Sequence, residues 1–265
     1  MTQVLVNGLP AATVGALDRG LAYGDGVFRT LRVADGQPVW LEEHLARLAM
    51  DASRLGLPCD EAAWRADLAA LTLPPQGVLR LTLTRGEGPR GYLPPHPVRP
   101  TRIAACWRDE LPVAPESGIH ARVCRLRLAR QPALAGVKHL NRLENVLARA
   151  EWDDPAIQEG LLLDQEDRVI SGVLSNVFIW RGGELLTPRL DACGVAGVTR
   201  ARLLRLAPEA GFPVREADLG LDDVLAADEV MCCNSLIGLW RIARLEGRAW
   251  GAAVVSGALW NLLHA

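Results

Sequence analysis

The chain has 265 residues but only one lysine, Lys138, so arginine supplies the other 28 of its 29 basic side chains. Arginine serves surface charge and phosphate contacts well, but it stays protonated and cannot form an imine with a carbonyl compound. Lysine can lose its proton when it is desolvated and can then attack a carbonyl carbon. A coding bias towards arginine would also leave one surface lysine, so this scarcity alone leaves Lys138 either catalytic or incidental.

Other absences exclude several classes of protein. The first residues contain neither a basic region nor a long apolar stretch, so we expect no signal peptide, and no window is apolar enough for a membrane helix. A formal net charge of -2 gives no reason to expect nucleic acid or a membrane surface as a partner. The six cysteines form no Cys-x-x-Cys pair and do not cluster with the five histidines. This spacing predicts reduced thiols, no metal site and a cytoplasmic protein.

The common nucleotide and metal motifs are also missing: there is no Gly-x-x-x-x-Gly-Lys, no Gly-x-Gly-x-x-Gly and no His-Glu-x-x-His. One segment still suits an anion, the GVAGVTR run at 194–200, which precedes a predicted helix. Its glycines allow a ligand close to the backbone, and Thr199 is placed to cap the helix. Free N–H groups at a helix start favour phosphate, although an ordinary capped helix could have the same sequence.

Helical and alternating patterns are mixed without a regular strand–helix–strand rhythm, which predicts an α+β fold of two domains. We expect an N-terminal domain at 1–110 and a C-terminal domain at 119–265 that carries Lys138. A segment rich in proline and acid at about 111–118 is the expected linker. The predicted strands are 4–6, 27–33, 38–40, 78–85, 102–107, 119–126, 160–164, 169–170, 177–180, 214–216 and 230–233, and the predicted helices are 41–55, 61–71, 141–151 and 199–211.

Two further polar positions stand out in this layout. Arg47 lies off the apolar stripe of the 41–55 helix, one heptad before Arg54. Ser235 follows Asn234 after a short apolar strand, where a hydroxyl and N–H groups could face an anion. Each position also has an ordinary interpretation, as a solvated arginine or a plain turn.

Short segments in a specific order connect these features over almost the whole chain. They are DRGLAYGDGVF at 18–28, HLARL at 44–48, KHLNRLEN at 138–145, SNVF at 175–178, TP at 187–188, GVTR at 197–200 and ADEV at 227–230. In order and spacing they resemble the class IV, or fold type IV, pyridoxal-phosphate enzymes. That family includes branched-chain aminotransferases, D-amino-acid aminotransferases and aminodeoxychorismate lyases.

The resemblance assigns roles to several of these residues. It implies that Lys138 binds pyridoxal 5'-phosphate as an imine and that Arg47 grips the phosphate of this cofactor. The main chain of Val198 and Thr199 and the side chain of Ser235 are expected to help. A phosphate dianion is well matched by a guanidinium group and a helix start. The resemblance further implies a two-domain fold type IV enzyme, with the cofactor at the domain interface, that acts as a homodimer on a small-molecule substrate.

Two details favour the lyases within this family. The run that starts at Lys138 resembles theirs, and so does Arg90-Gly91-Tyr92 after the 78–85 strand. These enzymes convert 4-amino-4-deoxychorismate to 4-aminobenzoate and pyruvate on the way to folate. Thr30 and Tyr92 are then candidates for positioning the substrate. An aminotransferase for D-amino acids, branched-chain amino acids or amines remains an alternative, as does a cofactor-binding paralogue with little activity.

One position departs from the family pattern. Members commonly have glutamate five residues before Asn176, where this chain has Ser171. That carboxylate pairs with the protonated pyridine nitrogen of the cofactor, and a serine hydroxyl cannot supply its charge. The nearest acids, at 164, 166 and 167, fall in or beside a predicted turn and are expected to point away. Ser171 and Asn176 are therefore candidate cofactor ligands, and the partner of the nitrogen stays open.

Overall fold

The computed structural model describes residues 2–251 and 253–264. The chain divides into two compact units. Unit 1 comprises Met1–Leu111 and Val137–Asn141, and unit 2 comprises Pro112–Gly136 and Arg142–Ala265. Each unit combines a sheet with helices, so the α+β class predicted from the sequence is confirmed.

Among the residues that the structure describes, unit 1 contains six strands and three helices. The strands are β1 (Gln3–Val6), β2 (Leu9–Pro10), β3 (Gly26–Ala34), β4 (Gln37–Pro38), β5 (Gln76–Thr84) and β6 (Thr101–Arg108), and the helices are α1 (Arg19–Tyr23), α2 (Leu41–Arg54) and α3 (Glu61–Ala69). The sheet order is β2-β1-β6-β5-β3-β4, and every neighbouring pair is antiparallel.

The core of unit 1 follows from two periodicities. On α2, Leu45, Leu48 and Ala52 recur at helical spacing and are buried among the side chains of β3 and β5. On β5, the leucines at 79, 81 and 83 alternate with more polar residues and are also buried, as the alternation predicts. Glutamates in the first turn of α2 and Arg54 in its last turn suit the helix dipole.

The described part of unit 2 contains nine strands and four helices. They are β7 (Ile119–Leu128), α4 (Leu143–Arg149), β8 (Glu159–Asp164), β9 (Val169–Gly172), β10 (Asn176–Arg181), β11 (Glu184–Pro188), α5 (Val198–Glu209), β12 (Val214–Ala217), α6 (Leu221–Leu225), β13 (Glu229–Asn234), β14 (Gly238–Leu245), β15 (Arg248–Ala249) and α7 (Ser256–His264). The sheet order is β12-β11-β10-β13-β14-β7-β8-β9, with β15 added to β14.

Both faces of the unit 2 sheet are covered around β8. Leu161 and Leu163 pack into one cluster with Val177, whereas Leu162 packs into another with Ile170. A strand that is buried on both faces typically has a continuous run of apolar residues. Residues 160–163 of β8 have this pattern.

Some predicted elements differ from the observed ones. The strand predicted at 38–40 ends at Pro38, because Trp40 has a left-handed backbone (φ 55°) and serves as the N-cap of α2. The helix predicted at 141–151 is only α4, and its apolar side chains at 143, 146 and 147 are exposed. Strand β14 and helix α7 were not predicted. Two arginines interrupt the apolar pattern of β14, and α7 contains glycine and asparagine, which are weak helix formers.

The segment that carries Lys138 lies in unit 1, whereas the predicted linear boundary assigned it to the C-terminal domain. The reason is backbone pairing with β3. The Phe28 N–H donates to the carbonyl of Lys138 (3.0 Å), the Leu140 N–H donates to the carbonyl of Gly26 (2.9 Å), and Val27 bridges to His139. The amino-acid composition along the chain does not predict that five residues from the middle of the sequence pair with a strand of unit 1.

All six cysteines are free thiols and five of them are buried, as their spacing predicts. Burial raises the pKa of Cys193 to about 11 and that of Cys124 to about 12, so these thiols stay protonated at neutral pH. Within residues 2–251 and 253–264, no helix combines the length and hydropathy that a membrane span requires.

Candidate active site

The peptide of Lys138 is held from both sides within unit 1. Its carbonyl accepts the Phe28 N–H, and its own N–H donates to Oδ2 of Asp51 at 2.9 Å. The side chain is half-buried, and its Nζ lies 4.5 Å from the centroid of the Phe28 ring. The single lysine amine of the chain therefore extends from a fixed backbone.

Besides this N–H group, the carboxylate of Asp51 contacts two arginines. Its Oδ2 forms an ion pair with Nη2 of Arg29, and its Oδ1 lies 3.5 Å from Nε of Arg47, one helical turn earlier on α2. The side chains of Asp51 and Arg29 are only 3% and 2% exposed. Burial lowers the pKa of Arg29 to about 10, so this guanidinium remains charged at pH 7. Two guanidinium groups and one carboxylate leave an excess of positive charge, which suits an anion.

His44 occupies the same part of unit 1 and is 2% exposed. Burial lowers the pKa of its imidazole to about 3, and the positive charges of Arg29 and Lys138 act in the same direction. The ring is therefore neutral at pH 7. Neither ring nitrogen has a hydrogen-bond partner within the described part of the chain.

In unit 2, the start of α5 is built around Asn176. The Asn176 side chain donates to the carbonyl of Val195 (2.7 Å) and accepts the N–H of Gly197 (3.1 Å). Gly197 is the N-cap of α5, and a Cβ at this position would collide with Oδ1 of Asn176. The approach requires glycine, and glycine offers no side chain to cap the first N–H groups of the helix.

Thr199 was predicted to cap α5, and this prediction is wrong, because Gly197 occupies the cap and Thr199 lies in the first turn. Thr199 is 1% exposed, and its Oγ1 finds no hydrogen-bond partner among residues 2–251 and 253–264. A buried hydroxyl without a partner costs about 1–3 kcal/mol. The uncapped helix start and this hydroxyl therefore fit the phosphate group that the resemblance implies, with Val198 and Thr199 supplying main-chain N–H groups.

Ser171 lies in β9, one residue before that strand ends, and Asn176 begins β10; both are buried. The turn between these strands is fixed by Glu159, whose carboxylate accepts the hydroxyl of Ser175 (2.7 Å) and the N–H of Val173 (3.0 Å). Burial raises the pKa of Glu159. This residue therefore orders the segment that presents Ser171 and Asn176.

The acids expected to point away from Ser171 are engaged by arginines of unit 2. Asp164 pairs with Arg168 at 2.9 Å, Glu166 pairs with Arg130, and Asp167 pairs with Arg127 at 3.0 Å. That these acids point away from Ser171 stays a prediction.

Ser235 lies in the turn after β13 and is half-buried. The turn is closed by Asn234, whose Oδ1 accepts the N–H groups of Leu236 (2.8 Å) and Ile237 (3.0 Å). Strand β13 pairs with β10, and Asn234 comes directly after Cys233, the residue opposite Asn176. The turn with Ser235 therefore follows the strand that neighbours Asn176 in the sheet.

The two candidate substrate residues differ in their settings. Thr30 is half-buried on β3, whereas the side chain of Tyr92 is 86% exposed. The backbone of the Tyr92 loop is held by Arg19, which donates to the carbonyls of Gly91 (2.8 Å) and Tyr92 (3.2 Å). The Tyr23 hydroxyl also accepts the Gly91 N–H at 3.0 Å. A substrate role for Thr30 or Tyr92 stays a prediction.

Three residues of unit 1 and one of unit 2 were not identified from the sequence: Arg29, His44, Asp51 and Glu159. Arg29 had a usable signal, because it falls on the same face of β3 as Val27 and Leu31, where alternation predicts burial. Asp51 also had one, because it lies four residues after Arg47 on a helix. For His44 and Glu159, no pattern in the neighbouring sequence predicts that a polar side chain is buried.

Comparison with known proteins agrees with this geometry. The family model of amino-transferase class IV matches residues 26–245, so the chain belongs to this family. The chain is similar to a crystal structure of 4-amino-4-deoxychorismate lyase from Pseudomonas aeruginosa, with 46% identity, a TM-score of 0.93 and coverage of 98% of both chains. It is 36% identical to the aminodeoxychorismate lyase of Vibrio harveyi over 242 residues, 88% of each chain. It is 28% identical to the D-alanine aminotransferase of Bacillus licheniformis, over 89% of this chain and 84% of that protein.

The lowered pKa of His44 predicts an acid-dependent loss of stability. An unfolded histidine titrates near pH 6.5, so between about pH 3 and 6.5 the unfolded chain binds a proton that the folded chain does not. The free energy of unfolding should therefore fall as the pH is lowered through this window, by at most about 1.4 kcal/mol per pH unit from this group. We expect His44→Gln to flatten that dependence in urea unfolding of the cofactor-free protein.

His120→Gln is the matched control, because His120 is half-buried at β7 in unit 2. If both variants keep the slope of the wild type between pH 5 and 6.5, the neutral buried state of His44 is refuted.

Proposed function

We propose that this chain is a pyridoxal-phosphate-dependent lyase that converts 4-amino-4-deoxychorismate to 4-aminobenzoate and pyruvate. The observation that carries the proposal is the convergence of Lys138 and Arg47 on the buried carboxylate of Asp51. The similarity of nearly the whole chain to two lyases of this kind supports the choice of reaction.

Lys138 and Arg47 of unit 1 are the proposed covalent and phosphate ligands of the cofactor. In unit 2, the proposed phosphate ligands are the N–H groups of Val198 and Thr199 and the side chain of Ser235. The uncapped start of α5 and the buried Thr199 hydroxyl support this assignment. Asn176 orients that helix start, and Ser171 is the proposed neighbour of the pyridine nitrogen.

In this reaction, the residues of the protein bind the cofactor and the substrate and transfer protons. Bound pyridoxal phosphate withdraws electrons from the carbon that carries the substrate amine. The Lys138 amine removes the proton from that carbon and returns a proton to the departing enol of pyruvate as the carbon–oxygen bond breaks. Loss of pyruvate leaves the aromatic ring of 4-aminobenzoate. Arginine could not serve at position 138, because its guanidinium stays protonated.

We further propose that the enzyme works as a homodimer in the cytoplasm, on a step towards folate. Support for an apolar partner comes from α4, where Leu143, Val146 and Leu147 share one face and are 74%, 60% and 61% exposed. A contiguous apolar face of this kind typically marks a protein interface. The six free thiols fit a reducing compartment.

An aminotransferase is the second candidate function. It is favoured by the similarity to the D-alanine aminotransferase of Bacillus licheniformis. Assays with amino donors and 2-oxo acids separate this activity from the release of 4-aminobenzoate. A third candidate, a cofactor-binding paralogue of low activity, is supported only by Ser171 in place of glutamate.

We predict that the purified protein is yellow and forms 4-aminobenzoate from 4-amino-4-deoxychorismate. Borohydride should fix a pyridoxyl group, and mass spectrometry should place it on Lys138. Lys138→Arg should keep the charge but lose both the label and the turnover, because a guanidinium cannot form the imine. A label found only at the N-terminus of cofactor-saturated protein would reject the proposal.

Arg47→Ala should weaken the affinity for pyridoxal phosphate far more than Arg54→Ala. Both arginines lie on α2, seven residues apart, and Arg47 pairs with Asp51 beside the Lys138 N–H. Loss of a charge-assisted contact costs about 1.5–3 kcal/mol, or roughly tenfold to a hundredfold in affinity. Equal dissociation constants for the two variants, measured by titration of cofactor-free protein, would show that Arg47 does not bind phosphate.

Ser171→Glu should raise transaminase turnover relative to lyase turnover. A carboxylate keeps the pyridine nitrogen protonated and strengthens electron withdrawal, whereas the Ser171 hydroxyl supplies no charge. The lyase reaction depends less on this withdrawal, because formation of an aromatic ring drives it forward. Both rates are measured on the same preparations, with Ser171→Ala as the control. A ratio that stays unchanged or falls would mean that another group meets the nitrogen.

A further inference from the structure

Helix α2 has three carboxylates, two glutamates in its first turn and Asp51, and Asp51 is the buried one. The chemistry proposed above gives it no direct contact with the substrate. Its Oδ2 accepts the Lys138 N–H at 2.9 Å and pairs with Arg29, and its Oδ1 lies 3.5 Å from Nε of Arg47. One buried group therefore contacts the main chain of the proposed catalytic residue and the side chain of the proposed phosphate ligand.

We propose that Asp51 is a positioning residue that sets the guanidinium of Arg47 and the backbone of Lys138 for the cofactor, with Arg29 as its buried counter-ion. This inference rests on the proposed function, because it concerns the same cofactor.

The charges explain why a carboxylate is needed between these groups. Arg29 and Arg47 are close enough that the charge of Arg47 acts to lower the pKa of Arg29. Two such cations repel each other, and a desolvated guanidinium without an anion is costly. Asp51 pairs with both arginines, and the one carboxylate leaves a net positive charge on this cluster that suits a phosphate.

The geometry explains why position matters as well as charge. Arg47 and Asp51 are four residues apart and share one face of α2, so the carboxylate restrains the long arginine side chain. A preorganised guanidinium loses less conformational entropy when it binds an anion. The same carboxylate fixes the peptide from which the Lys138 side chain extends.

Asp51→Asn separates positioning from simple electrostatics. Removing a negative charge near Arg47 strengthens the attraction for a phosphate, so a purely electrostatic role predicts tighter binding of pyridoxal phosphate. A positioning role predicts weaker binding, by about tenfold, the loss expected for one charge-assisted contact. It also predicts a shifted pH midpoint for the visible band of the bound cofactor, because the Lys138 backbone is released.

Asp67→Asn is the matched control. Asp67 is likewise 3% exposed in unit 1, but it lies on α3 and pairs with Arg102 at 2.9 Å. Its variant should bind pyridoxal phosphate with wild-type affinity and keep the pH midpoint. Urea unfolding of both variants measures what each loses in stability.

A double variant covers the case in which Asp51→Asn fails to fold because Arg29 is left unpaired. Arg29→Met with Asp51→Asn removes both charges of the buried pair, a change that proteins often tolerate. It leaves the net charge unchanged, so about tenfold weaker binding of pyridoxal phosphate again supports positioning. Wild-type or tighter affinity in a folded Asp51 variant overturns the inference. Failure of wild-type protein to bind the cofactor at Lys138 overturns the proposed function instead.

Discussion

The arrangement of unit 1 depends on one interaction, the buried ion pair of Asp51 with Arg29. Each partner would cost several kcal/mol if it were buried alone, and together they compensate. The pair fixes a carboxylate at the inner side of α2, where it contacts Arg47 and the Lys138 N–H. Helix α2, strand β3 and the 137–141 segment are thereby joined by a buried polar cluster beside the apolar core.

Unit 2 orders its candidate residues through hydrogen bonds of Asn176 and Glu159. Asn176 spans from β10 to the start of α5 and allows only glycine at position 197. Glu159 fixes the turn that separates Ser171 from Asn176. The result is a helix start whose N–H groups have no side-chain cap and whose Thr199 hydroxyl is buried without a partner in the described residues. Such a site is stabilised when an anion binds.

Much of the fold could be predicted from the sequence, because amphipathic periodicity is strong in elements such as α2 and β5. The failures have physical causes. Trp40 adopts a left-handed backbone that local propensity does not predict, and β14 places arginines within a strand whose register shifts. Segment 137–141 joins unit 1 through two backbone hydrogen bonds with β3, which composition along the chain does not predict.

Some residues of the candidate site were likewise predicted from the sequence, and others were missed. Lys138 and Arg47 were predicted from residue type and a family motif, and the structure shows each of them against Asp51. Asp51 itself was missed, because a carboxylate on a helix is usually solvated, and only the tertiary structure shows that this one is buried. Thr199 was identified as a candidate ligand, but its expected role as a cap was wrong, since Asn176 brings Gly197 to that position.

The most direct test is a crystal structure of the protein crystallised with pyridoxal phosphate. We predict continuous density from the cofactor to Nζ of Lys138, a phosphate in contact with Arg47 and with the first N–H groups of α5, and Asp51 still bound to the Lys138 N–H. A cofactor bound elsewhere, or a phosphate that touches neither Arg47 nor Thr199, would contradict this account.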